Sequence, residues 1–325
     1  MKLKWRTTTA LALIMIPVLV VLFCLWLFPE EPKLCQAEFP TMGTIAKVSV
    51  YNSESDLTRA FEICQQEFNA VSKLCSLYDP TSELSRINNS AAQGPIVCSP
   101  EMWALLMRSK AAYEETDGYF DITVKPLMDL WGFYRKRDSS APSEAEITEV
   151  MKVVGFDKLV FDEKNRTILF SVPGMALDLG GIAKGYAVDR ATAAIERAGI
   201  HSGVVDLGGN LKMLSQPPPG KNFYTVGIRD PKKPDSILPE FQKVPPAMAV
   251  SSSGDYERFV TYNDKRYGHL LSPKTGKPAA VSAVTVIAQR AIDADIYSTA
   301  CSLGGENIAN KLRNKHPRLK IIFTR

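Results

Sequence analysis

The segment "MALDLGGIAKGYAVDRA", Met175 to Ala191, constrains this 325-residue chain more than any other. An apolar, strand-like lead meets two adjacent glycines and then a run with helical spacing, which predicts a strand-turn-helix junction closing near Gly199 in a left-handed cap. Backbone N–H groups at such a helix start favour an anion, and phosphate is the first suspect. A tight turn with positive φ at Gly180 or Gly181 explains the glycines equally well. The tetrapeptide "DLGG" recurs at Asp206 to Gly209, as a duplicated unit or as the same turn chemistry used twice.

Around that junction the chain mixes element types. "TMGTIAKVSVY" alternates like a strand, helices are predicted from Ser55 to Leu77 and from Pro100 to Thr116, and "LYDPTSELSRINNS" between them reads as a polar loop. "TDGYFDIT" reads as a turn into an extended piece, "KRDSSAPSEAEI" as a loop entering a short helix, and "KLVFDEKNRTILFS" as a hairpin. Further on come the strand "FYTVGIRDP", a proline-rich surface excursion "KKPDSILPEFQKVPPA", an exposed turn "SSSGDYERF" and a hairpin bent at Asn263-Asp264. A strand from Ala283 to Ala288, a helix from Ala294 to Lys315 and a final strand close the chain. Without regular βαβ alternation, the expected class is α+β, with mixed or antiparallel sheets and packed helices.

Lys2, Lys4 and Arg6 precede an apolar run from Ala10 to Phe28, long enough to span a bilayer with its positive end in the cytoplasm. The reading is a signal or anchor segment with its linker over residues 1–36 and one domain over residues 37–325. "CQA" at Cys35 to Ala37 resembles a cleavage site but lies well past the run, so an uncleaved anchor is favoured. Neither Cys24 nor Cys35 follows the small residues that lipid attachment needs. With net charge +4, mixed signs and no basic stripe, nucleic acid is excluded as a partner. The six cysteines form no C-x-x-C pair, which removes a zinc or dithiol site; Cys64 and Cys75 fall on one apolar helical stripe about 16 Å apart and are read as core residues.

Asp295 and Thr299 in "DADIYSTA" share a helix face, and carboxylate plus hydroxyl oxygens suit a hard cation such as Mg²⁺; a simple helix-start role for Asp295 is the alternative. His269, in "YGHLLSPKTGKP", is a candidate to take a proton from a hydroxyl nucleophile; a satisfied structural histidine is the alternative. No serine-hydrolase elbow, P-loop or Rossmann fingerprint occurs.

Eight segments in order, "TMGT", "YDPTSELSRIN", "DGYFDIT", "DLGGIAKGYAVD", "VDLGGN", "SSSGDYERF", "HLLSPKTGKP" and "ADIYST", resemble the ApbE family of FAD:protein FMN transferases. The resemblance implies a T-fold-like architecture and an FAD site formed by Met42, Tyr78, Tyr119, Phe120, Asp121, Asp178, Lys184 and Leu271. It also implies Mg²⁺ held by Asp295, Thr299 and a main-chain oxygen of Gly181. The implied reaction moves FMN from FAD to a Thr or Ser hydroxyl, with His269 as base and AMP released. Acceptors would carry an Asp-Gly-x-Ser/Thr-Gly/Ser-Ala-Ser/Thr motif in membrane redox complexes, and the enzyme would work at the periplasmic side of the inner membrane. The alternatives are an FAD pyrophosphatase and a non-enzymatic FAD-binding protein. Two departures from the family pattern stand out: Ser272, where many members have aspartate, and Ile296, where a smaller residue is common.

Overall fold

The computed structural model describes residues 33–137, 140–254, 258–279 and 283–324; the apolar N-terminal run and Asp255 lie outside them. Seven strands form one antiparallel sheet in the order β1 (Lys33–Thr41), β2 (Thr44–Asn52), β6 (Gly203–Leu207), β7 (Asn210–Met213), β10 (Ala249–Gly254), β13 (Ala283–Ala288) and β14 (Lys320–Thr324). The α+β expectation therefore matches a mixed architecture whose sheets pair antiparallel. All six residues of β13 are buried, so both faces of the sheet are covered there. Val284, Val286 and Ala288 join the main core with the helices α1 (Glu54–Cys75), α6 (Gly180–Arg197) and α7 (Ala291–Lys315). Ile287 points the other way, into a smaller core closed by the ribbon of β8 (Tyr224–Asp230) and β9 (Lys233–Val244).

Several local expectations change in the structure. The supposed loop after α1 contains helix α2 (Glu83–Ser90), because the Ser82 hydroxyl accepts the Ser85 N–H at 3.0 Å and Leu84 and Ile87 bury one face. Within "TDGYFDIT", Asp121 caps a short 3₁₀ turn, Ile122–Val124, which runs into α4 (Lys125–Leu130) rather than an extended piece. The proline-rich excursion is strand β9, tolerated because an edge strand needs fewer N–H donors. Ser251–Gly254 are not an exposed turn but part of β10 inside the sheet. Strand β1 begins at Lys33, paired with Asn52, so residues 33–36 are strand rather than linker. The apolar lead Met175–Leu179 forms no strand, and α7 starts at Ala291, not Ala294.

The hairpin at Asn263-Asp264 forms as expected, with both residues at positive φ between β11 (Phe259–Tyr262) and β12 (Lys265–Gly268). Gly199 takes φ 86° after α6. The two "DLGG" copies adopt different structures: Gly180 and Gly181 are helical, whereas Gly208 (φ 58°) and Gly209 (φ 86°) make a left-handed turn between β6 and β7. They are one tetrapeptide in two settings, not a duplicated unit. The five cysteines within the described residues are free, and Cys64 is wholly buried on α1.

Candidate active site

Helix α6 starts without a side-chain cap from its own N-cap residue. Instead Asp178, one residue earlier, accepts the Gly180 N–H at 2.7 Å through Oδ1, while its Oδ2 accepts the Tyr134 hydroxyl at 2.8 Å. Burial and the adjacent Asp178 carboxylate push the Tyr134 phenol up, which keeps it a donor. Tyr134 carried no sequence signal, and its site role emerges only from this contact. The glycines are required by close approach rather than by positive φ. A Cβ on Gly181 would sit 3.2 Å from the Phe120 ring and 3.3 Å from Thr299 Oγ1.

Helices α6 and α7 cross in close contact at Gly185, where a Cβ would lie 2.4 Å from the Ala291 carbonyl oxygen. That closeness lets the Gly185 N–H, which a regular helix would direct at the Gly181 carbonyl, reach Asp295 Oδ2 at 3.0 Å. Asp295 is 2% exposed. Its other oxygen faces Lys184 Nζ at 3.7 Å and receives the Asn210 side-chain N–H at 3.2 Å. In the amide orientation that satisfies both ends, Asn210 also donates to Ser251 Oγ (2.8 Å) and accepts from Lys184 (3.3 Å). In the sequence, nothing about Asn210 beyond its place in "VDLGGN" points to this bridging role.

The helix-start reading of Asp295 fails, because other carboxylates serve that end. Asp189 on α6 accepts the Ala291 and Ile292 N–H groups, each at 3.0 Å, and Asp293 lies in the first turn, paired with Arg290 and Arg108. Asp295 is left free to face the cleft, one helical turn from Thr299.

His269 anchors the opposite wall. Its Nδ1 lies 3.1 Å from the Arg258 carbonyl, so the Nδ1–H tautomer donates there and the Nε2 lone pair has no partner among the described residues. Burial and the Lys184 ammonium lower its pKa to about 4, which leaves the imidazole neutral at pH 7. The Arg258 guanidinium stacks over Tyr134 and Phe133.

These groups share one cleft of about 1250 Å³. Met42, Tyr78, Tyr119, Phe120, Asp121, Asp178, Gly181, Lys184, His269, Leu271, Asp295 and Thr299 all line it, although they come from positions 42 to 299 of the chain. Met42 turns from β1 to β2 at φ 48°. Tyr78 is 74% exposed beside the Tyr134 ring, and Lys274 lies over the Tyr119 ring. The Asp121 oxygens are engaged by Thr123 and the Phe156 N–H, so that carboxylate props the cleft wall while burial raises its pKa. Ser272 holds its own turn, accepting the Gly276 N–H at 2.7 Å, and Ile296 is buried in the main core.

Among the described residues no group of three or more His, Cys, Asp or Glu is clustered to hold a metal. The oxygen donors facing the cleft here, the Asp295 carboxylate and the Thr299 hydroxyl, fit a hard, water-retaining cation rather than zinc or copper.

The ApbE family model matches residues 42–323. The FAD:protein FMN transferase of Haemophilus influenzae is 30% identical over 297 residues, covering 88% of this chain and 85% of the relative. That of Salmonella typhimurium is 31% identical, covering 87% and 82%. Among solved structures, the ApbE protein of Thermotoga maritima superposes with a TM-score of 0.79 at 30% identity, covering 90% of this chain and 97% of its own. Pseudomonas stutzeri flavinyl transferase ApbE, in its apo form, gives 0.78 at 27% identity, covering 91% and 92%. By sequence, by fold and by the span of the match, this chain belongs to the ApbE family.

Proposed function

We propose that this chain is an FAD:protein FMN transferase that joins FMN to a Thr or Ser hydroxyl of an acceptor protein and releases AMP. One observation carries the reading: a buried carboxylate beside a hydroxyl, the Lys184 ammonium and a neutral imidazole face one cleft. A pyrophosphate-containing dinucleotide fits this arrangement, with Tyr78, Tyr119 and Leu271 offering apolar surface to its rings.

In this reading His269 Nε2 takes the acceptor hydroxyl's proton as that oxygen attacks the FMN-side phosphorus. The phosphoanhydride bond breaks, AMP leaves with the bonding pair, and the FMN phosphate becomes a phosphoester. Asp295, Thr299 and the Gly181 carbonyl would hold Mg²⁺, which when bound screens the pyrophosphate's charge and that of departing AMP. Lys184 adds positive charge beside the same oxygens and, second to burial, helps keep His269 unprotonated. Asn210 and the Gly185 N–H hold Asp295 in place, so the carboxylate needs little reorganisation.

The apolar N-terminal run supports an anchored enzyme on the periplasmic side of the inner membrane, facing acceptors with the Asp-Gly-x-Ser/Thr-Gly/Ser-Ala-Ser/Thr motif in membrane redox complexes. The test is mass spectrometry of a motif-bearing peptide after incubation with the full chain, FAD and Mg²⁺. A mass gain of one FMN group on the peptide, abolished by chelation, supports the reading. AMP and FMN formed with the peptide unmodified would make the enzyme a pyrophosphatase, and FAD bound but unchanged would make it a flavin-binding protein.

A further inference from the structure

The cleft, about 1250 Å³, extends past the residues assigned to FAD. None of the residues assigned to FAD lies on β8 or β9, yet Val226, Gly227, Ile228, Arg229 and Ile237 of that ribbon line the same cleft. The ribbon is a separate two-stranded sheet, and among the described residues no strand pairs with the outer edge of β8.

Two large apolar side chains stand exposed on it. Ile237 is 53% and Phe241 is 54% exposed, and four residues apart on β9 they share a strand face. Both lean over Gly227, where an added Cβ would meet Ile237 Cδ1 at 3.1 Å and Phe241 Cε1 at 3.4 Å. Ile45, 52% exposed at the β1–β2 turn, lines the cleft as well. Exposed branched and aromatic side chains grouped at the mouth of a reaction site mark a contact surface, and an unpaired strand edge beside them suits an extended chain.

We propose that the β8–β9 ribbon is the docking surface for the acceptor, taking an extended segment along β8 with an apolar side chain set on Ile237 and Phe241. This rests on the transferase reading. The continuity of the patch with the cleft is the reason for choosing this occupant: a segment seated on the ribbon runs into the space that His269 faces, where its hydroxyl is needed. The apolar anchor then governs acceptor affinity and leaves FAD binding alone.

The experiment uses the full chain in detergent with Ile237→Asp and Phe241→Asp, both surface changes, and Gly227→Ala, which fills the cradle. The probe is a synthetic peptide containing Asp-Gly-Ala-Thr-Gly-Ala-Thr with apolar flanks. KM for the peptide is expected to rise at least about tenfold in the aspartate variants, about 1.4 kcal/mol, with kcat and FAD affinity by flavin fluorescence within twofold of the parent. FAD affinity falling in step would make the ribbon part of the flavin site and overturn the proposal. An unchanged KM would overturn it too, and if binding to phosphatidylethanolamine/phosphatidylglycerol vesicles fell instead, the patch would be a membrane contact. A parent enzyme that puts no FMN on the peptide would overturn the transferase reading and this inference with it.

Discussion

Replacing Gly185 with alanine tests how the fold builds the site. The new methyl would lie 2.4 Å from the Ala291 carbonyl oxygen and 2.7 Å from both the Ala291 carbonyl carbon and Ile292 Cα. These are backbone atoms, so no side chain can swing aside, and α6 and α7 must part by about 1 Å to regain ordinary contact. The Gly185 N–H to Asp295 bond, now 3.0 Å, then stretches towards about 4 Å and ceases to count as a hydrogen bond. Overpacking of about 2 kcal/mol and loss of a charged hydrogen bond of about 2 kcal/mol outweigh the roughly 1 kcal/mol that alanine gains over glycine in a helix. The net loss of about 3 kcal/mol lowers Tm by about 5 °C. A 1 Å displacement of Asp295 is expected to lower kcat/KM about 100-fold. Gly94→Ala is the control: nothing lies within 4 Å of its Cβ position, so it should be neutral or slightly stabilising. Calorimetry and AMP release on both variants make the test. A Gly185→Ala enzyme as stable and active as the Gly94→Ala enzyme would refute the idea that the tight helix crossing places Asp295.

Further outcomes follow from the same geometry. Asn210→Ala should weaken Mg²⁺ activation about tenfold, read as the Mg²⁺ concentration for half-maximal AMP release, because Asp295 and Lys184 both lose a partner. Tyr134→Phe removes the 2.8 Å donor to Asp178 and should weaken FAD binding several-fold by flavin fluorescence, with little change in fold. The reactive imidazole is neutral, and its pKa near 4 lies below the ordinary 6.5; kcat/KM should therefore stay flat as pH falls from 8 to about 5, whereas a break at 6 to 7 would contradict it. Across the window from 6.5 down to about 4 the unfolded chain binds a proton that the native imidazole resists, so stability should fall with acidification there in chemical-denaturation midpoints. Burial pushes the thiols of Cys75 and Cys301 up to about 12 and that of Cys98 up to about 11, so native protein should react far more slowly with iodoacetamide than denatured protein, as mass spectrometry would show.

The legible parts of this protein were those carried by local chemistry. Periodicity placed α1 and α3 (Pro100–Glu115), and the Asn263-Asp264 pair placed the hairpin bend, because helix stripes and left-handed turns are decided within a few residues. The segment now seen as β9 looked like a loop because its prolines weigh against strand, and only pairing with β8 settles it. "SELSRINNS" is short and polar, so its helical character depends on Leu84 and Ile87 meeting the core. At the site, motif resemblance named residues that the fold collects in one cleft, but their supports were invisible. Tyr134 finds Asp178 across 44 residues, Gly185 finds Asp295 across 110, and Asn210 becomes a bridge only once β7 lies beside both α6 and α7. The glycine pair's purpose was likewise spatial: Gly181 lies against Phe120 and Thr299 and Gly180 against the Asp178 carboxylate, without backbone strain.

The most direct measurement counts AMP released against FMN attached, using the full chain in detergent with FAD, Mg²⁺ and the motif peptide, and fragments the product to locate the phosphate. One AMP is expected for each modified peptide, with an intact phosphate bridging riboflavin and the Thr or Ser oxygen and both signals lost in Asp295→Ala. AMP far in excess of modified peptide, or a peptide left unmodified while FAD is consumed, would contradict FMN transfer to a protein hydroxyl.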